Sequence, residues 1–174
     1  WARDEYTTAN YIYNAFERDK EHQIMSAGIN KDGLVNRTKF ETPPDFLISD
    51  LLGSIDKPDL ILVVQGFANM RVGGIENIKN CITAYYGIDT HTENKLHIFE
   101  EAKNYQFVFF AQQKGVNEFM QTYKRENVYW LPCSAEPLIH KPMNFDIEYD
   151  FAFVGGIDLK FAHERRRKLL KMLQ

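Results

Sequence analysis

The sequence predicts an α/β fold: a doubly wound, mostly parallel, Rossmann-like sheet with helices on both faces. Two observations carry that prediction. Short apolar runs rich in β-branched and aromatic residues alternate with segments whose apolar residues recur at helical spacing. Each run also ends in polar or glycine-bearing residues, as strands do where they give way to a turn. Alternation of this kind joins parallel strands through right-handed crossovers and covers the sheet with helices.

The elements follow in order. Tyr6, Ala9, Tyr13 and Phe16 recur at helical spacing, and the charged residues Arg18 to Glu21 close that segment. Gln23 to Gly28 reads as a short strand ending in a turn residue. Thr42 before Pro43-Pro44 is a helix start, because proline tolerates the first helical turn, and Phe46, Ile48, Leu51, Leu52 and Ile55 follow, most of them on one stripe. Leu60 to Val64 is continuous and β-branched, the pattern of a strand buried on both faces. Ile82–Tyr86, Phe107–Ala111, Val128–Leu131 and Phe151–Val154 repeat that character. Helical patterns fall at Lys95–Ala102, at Gly115–Tyr123 and from His163 onward. Residues 1–131 make the expected first domain, the turn-rich stretch 132–148 a linker, and 149–174 the opening strand, glycine turn and basic helix of a second α/β unit.

Composition narrows the function classes. The chain has 174 residues, 44% of them hydrophobic, enough to bury a core. With 21 Lys+Arg against 24 Asp+Glu there is no general electrostatic attraction to nucleic acid or to anionic membrane. No apolar run reaches the roughly 20 residues of a spanning helix, and the first residues lack the basic start and apolar stretch of a secretory signal. Cys81 and Cys133 make no disulfide framework, so a reducing, cytoplasmic setting is expected.

In open parallel sheets ligands bind beyond the carboxyl ends of the strands. The candidate site therefore gathers Gln65-Gly66, Asp89-Thr90-His91, Gln112 and Lys114, Ser134 and Glu136, and Gly155-Gly156. Asp89 and His91 are the sharpest pair. A carboxylate near an imidazole can orient it, and the imidazole can take a proton from a hydroxyl nucleophile. The plainer alternative makes Asp89 a turn cap and His91 a solvated loop residue. Asp89, His91, Glu93 and His97 have no diagnostic metal spacing, so no metal is assigned. Gly155-Gly156 lets backbone approach a phosphate, or it is a simple turn. The basic run containing Arg166 can bind phosphate or form a solvated helix face.

Five segments, taken in order, resemble the CgeB-like glycosyltransferases, relatives of a spore-coat protein. They are Asp59–Gly66, Tyr86–His91, Phe107–Gln112, Val128–Pro137 and Tyr149–Gly156, and the stretch Asn127 to Pro142 is the most specific. The resemblance runs from about Pro58 to the end of the chain. It implies the GT-B architecture, with two Rossmann-like domains facing a cleft and a nucleotide diphosphate sugar as co-substrate, without a further cofactor. Asp89 and His91 are then acceptor or base residues, with Gln65, Gly66, Gln112 and Lys114 on the substrate side. Ser134 and Glu136 mark the domain junction, and Gly155, Gly156 and Arg166 lie near the donor diphosphate. The implied partners are a nucleotide sugar, a hydroxyl-bearing acceptor and the remainder of a C-terminal donor domain, without which these residues are not expected to catalyse transfer. The alternative is a non-enzymatic α/β module that binds a ligand or protein through the same edge.

Overall fold

The computed structural model describes residues 8–24, 46–47, 57–65, 72–90, 95–146, 148–153 and 164–172. They form an α/β fold with a Rossmann-like parallel sheet interleaved with helices. The elements are α1 (Thr8–Asp19), β1 (Phe46–Leu47), β2 (Leu60–Gln65), β3 (Val72–Gly73), a 3-10 turn (Ile75–Asn77), β4 (Ile82–Gly87), α2 (Lys95–Ala102), β5 (Phe107–Phe110), α3 (Gln113–Tyr123), β6 (Val128–Trp130) and α4 (Glu164–Met172). The chain divides into two compact units, Trp1–Glu136 and Pro137–Gln174.

In the first unit, four strands run parallel in the order β2-β4-β5-β6. Successive strands step across the sheet in one direction. Right-handed crossovers then place the helices that join β4 to β5 and β5 to β6 on the same face. The aromatic contacts agree: Phe99 of α2 meets Phe119 of α3 edge-on at 5.2 Å, and both rings lie 5.3 Å from Phe110 of β5. Residues at alternate strand positions complete this layer. Tyr85 pairs with Val63 on one side and Val108 on the other, and Val108 pairs with Val128. Tyr85, Val108, Phe110 and Phe119 are fully buried, with Ile98, Phe99, Ala102, Tyr105 and Val116 around them.

The intervening strand residues point to the opposite face, as the two-residue period requires. There Ala84 and Tyr86 are buried on central β4, whereas Leu60 is 46% exposed, Ile82 49% and Tyr129 44%. β4 is thus the strand covered on both faces. β2, expected to be so, is a border of the described sheet and only half-buried.

Arg125 joins α2 to β5. Its guanidinium donates to the carbonyls of Lys103 at 2.6 Å, Tyr105 at 2.6 Å and Gln106 at 3.0 Å. Those carbonyls lie where helix ends and strand begins, so without Arg125 they would need water. Helix α3 ends at Lys124, which adopts the left-handed conformation (φ 52°) and donates its amide to the Met120 carbonyl.

Two expected elements differ. Phe46 and Leu47, expected within the helix after Pro43-Pro44, form β1 instead and pair in parallel with Val72 and Gly73 of β3. A partner far along the chain overrides local periodicity there. Phe151–Phe153, expected to be a strand, is irregular and exposed. Apolar composition alone does not make a strand, which needs a paired neighbour. Gln23 and Ile24 are likewise irregular, and the rest of that expected strand, with residues 48–55 of the expected helix, lies outside the described residues.

In the second unit, none of the described residues is buried. Helix α4 carries an i,i+4 ion pair between Glu164 and Lys168 at 2.8 Å, and Arg166 stacks over the Phe153 ring at 5.6 Å. No helix among the described residues is long and apolar enough to cross a membrane.

Candidate functional site

Because β2, β4, β5 and β6 are parallel, the segments that leave their carboxyl ends emerge along one edge. Backbone bonds carry the sheet past the strand ends. Ala111 donates to the Gly87 carbonyl at 3.0 Å, and Leu131 donates to the Phe110 carbonyl at 3.0 Å. The Trp130 indole donates to the Ala111 carbonyl at 3.1 Å, tying the exit of β6 to that of β5.

Two glycines shape this rim. A Cβ on Gly87 would lie 2.9 Å from the Phe110 ring and 3.1 Å from Ile98, so the last residue of β4 has no room for a side chain. A Cβ on Gly115, in the first turn of α3, would lie 2.5 Å from Thr90 Oγ1. Thr90 itself is buried. Its hydroxyl donates to Gln112 Oε1 at 2.6 Å, and its backbone N–H donates to the same oxygen at 3.3 Å. The exits of β4 and β5 are thereby fastened to each other by side chains.

Asp89 lies half-buried beside this pair. Gln65 ends β2 opposite Gly87, so its backbone reaches the same edge. His91 and Gly66, also expected here, lie outside the described residues. Lys114 stands in the first turn of α3, largely exposed, 3.7 Å from Glu118. Glu118 receives a shorter bond from Lys95 at 2.7 Å. That bond, with the two lysine charges, holds the Glu118 carboxyl below its ordinary value.

Beyond β6, Ser134 is exposed on the segment that leaves the sheet. Its neighbour Cys133 receives the Tyr86 hydroxyl at 3.6 Å. Burial, and then the bond to that thiol, push the Tyr86 phenol well above its usual range. Glu136 is buried, and Arg18 of α1 grips both its oxygens at 3.0 and 3.1 Å. That bidentate pair fixes α1 to the segment after β6, so the Glu136 carboxylate has a place in the fold's own bonding. Gly155 and Gly156 lie outside the described residues, and Arg166 belongs to the second unit.

Comparison of the chain with protein-family models, curated proteins and solved structures finds no match. Among the described residues no three His, Cys, Asp or Glu side chains converge as a metal site. Among the described residues the rim offers the Asp89 carboxylate, the Gln112 carboxamide and a lysine pair shared with Glu118. Such a set suits hydrogen bonding to hydroxyls.

Thr90 is the member of the candidate site to which the sequence assigns no role. It stands in the run Asp89-Thr90-His91, where attention goes to the titratable neighbours. A faint signal does exist: a small hydroxyl residue just after a strand and a glycine inside the next helix both point to a close approach.

Proposed function

We propose that this chain supplies the acceptor-side domain of a GT-B glycosyltransferase, which moves a sugar from a nucleotide diphosphate donor to a hydroxyl. One observation carries the reading: a parallel α/β sheet whose strand exits bring Asp89, the Thr90–Gln112 pair and the end of β2 to one edge. The resemblance of the strand-end segments to CgeB-like glycosyltransferases supplies the reaction class. In this reading a second α/β domain holds the nucleotide, and its diphosphate is stabilised by backbone amides and cations rather than by a metal. Asp89, with His91, accepts the proton of the attacking hydroxyl as the bond to the sugar forms. Gln112 orients the acceptor, with Gln65, Gly66, Lys114 and Ser134 around it. Gly155, Gly156 and Arg166 belong to the donor side.

The test uses the protein translated from the full reading frame, supplied with a panel of uridine, guanosine and thymidine diphosphate sugars. Donor hydrolysis or transfer is expected with at least one of them, and loss of that activity in Asp89→Asn. No hydrolysis and no transfer across the panel would overturn the reading.

A further inference from the structure

We propose that Thr90 is a positioning residue: it locks the Gln112 carboxamide so that the side-chain NH2 is presented to a neutral hydroxyl oxygen of a sugar. The inference rests on the acceptor-side reading above and deepens it, naming the group that recognises the acceptor and the residue that aims it.

The orientation of Gln112 follows from donor chemistry. A backbone N–H can only donate, so the Gln112 atom facing Thr90 N must be the carbonyl oxygen. The Thr90 hydroxyl donates to that same oxygen at 2.6 Å. Turning the carboxamide over would set its NH2 against the Thr90 backbone N–H, two donors facing each other, and would leave the hydroxyl accepting where it now donates. The NH2 group therefore lies on the side away from Thr90, and it has no hydrogen-bond partner among the described residues. Gln112 is only partly buried, so this donor is open at the strand-end rim. Thr90, by contrast, is buried, and it packs so closely on Gly115 that a Cβ there would collide with its hydroxyl. The lock is thus backed by packing as well as by hydrogen bonds.

The chemistry of the donor selects the ligand class. Lys95 and Lys114 both lie against Glu118, and Asp89 sits beside Thr90. A phosphate oxygen gains most from charge-assisted donors, whereas the neutral NH2 of a carboxamide suits an uncharged hydroxyl, and Lys95 and Lys114 are turned to Glu118.

The test follows the Gln112 side-chain amide by NMR in the nitrogen-labelled chain of 174 residues, with the signals assigned by their loss in Gln112→Glu. Glucose, galactose and mannose are titrated in turn, and inorganic phosphate separately. At least one hexose should shift the Gln112 NH2 signals saturably, while phosphate leaves them in place. Thr90→Val, which keeps the backbone donor and removes the hydroxyl, should weaken hexose binding by roughly fivefold, the worth of one hydrogen bond. Thr90→Ser should restore both the affinity and the signal positions. Gln112→Met leaves Thr90 in place and removes the NH2, so it serves even where Thr90→Val fails to fold. Binding by Gln112→Met within about twofold of wild type, no response to any hexose, or a response to phosphate alone would each overturn the proposal. None of these signals needs a donor nucleotide. Hexose binding without transfer would defeat the transferase reading alone, and transfer unaltered by Thr90→Val and Gln112→Met would defeat this inference alone.

Discussion

The two faces of the central sheet are built from the same strands, yet they differ sharply. On the face covered by α2 and α3, alternate residues of β4, β5 and β6 meet a cluster of aromatic rings, and Tyr85, Val108 and Phe110 are sealed from solvent. On the other face Ala84 and Tyr86 are the buried strand residues among those described, and Leu60, Ile82 and Tyr129 remain about half-exposed. Strand propensity is similar on both. Burial, and the close packing that comes with it, separates them, so stability is concentrated on the helical face.

Four measurements bear on that contrast, the largest effect first. Phe119→Ala removes the ring that joins α2, α3 and β5, and should cost about 3 to 5 kcal/mol by denaturant titration. A loss near 1 kcal/mol would mean that the cluster is loosely packed. Gly87→Ala forces a methyl group to within 2.9 Å of the Phe110 ring and should cost about 1 to 3 kcal/mol. An unchanged melting temperature would show that the ring can move aside.

Alkaline pH probes the same face without mutation. Burial holds the Tyr85 and Tyr105 phenols far above the ordinary value of 10.0, and nearby Glu101 adds to the effect. The unfolded chain therefore releases those protons first. Their contribution is full below about pH 10 and is lost as pH rises toward the folded-state values. Each tyrosine should lower the folding equilibrium about tenfold per pH unit in that window, and Tyr85→Phe with Tyr105→Phe should flatten the curve. The smallest effect belongs to the open face. Ile82→Thr keeps a β-branched residue at a half-exposed position and should change stability by less than about 0.5 kcal/mol; a larger loss would mean that something covers this face in solution.

The parts legible in the sequence are those governed by local pattern. The runs that became β2, β4, β5 and β6 are continuous and apolar, and α2 and α3 carry their own periodicity, so strand–helix alternation sufficed to place them. Long-range pairing was not legible. Phe46 and Leu47 fall within a segment that reads as a helix but find a partner at Val72 and Gly73. Phe151 has the composition of a strand, yet it is 84% exposed. At the rim, the parallel topology makes the strand exits converge, which the alternation already implied. The bonds that organise the rim join residues far apart in sequence: Thr90 to Gln112, and Arg18 to Glu136. Arg125, which spans three carbonyls, looks in the sequence like any solvated charge. No periodicity encodes such contacts.

The indole of Trp130 is 55% exposed while its N–H is fixed to the carbonyl of the residue before Gln112. The molecule thus carries its own fluorophore at the edge where ligands are proposed to settle. With Trp1→Phe removing the one other tryptophan, emission from this chain reports on that edge without any attached dye.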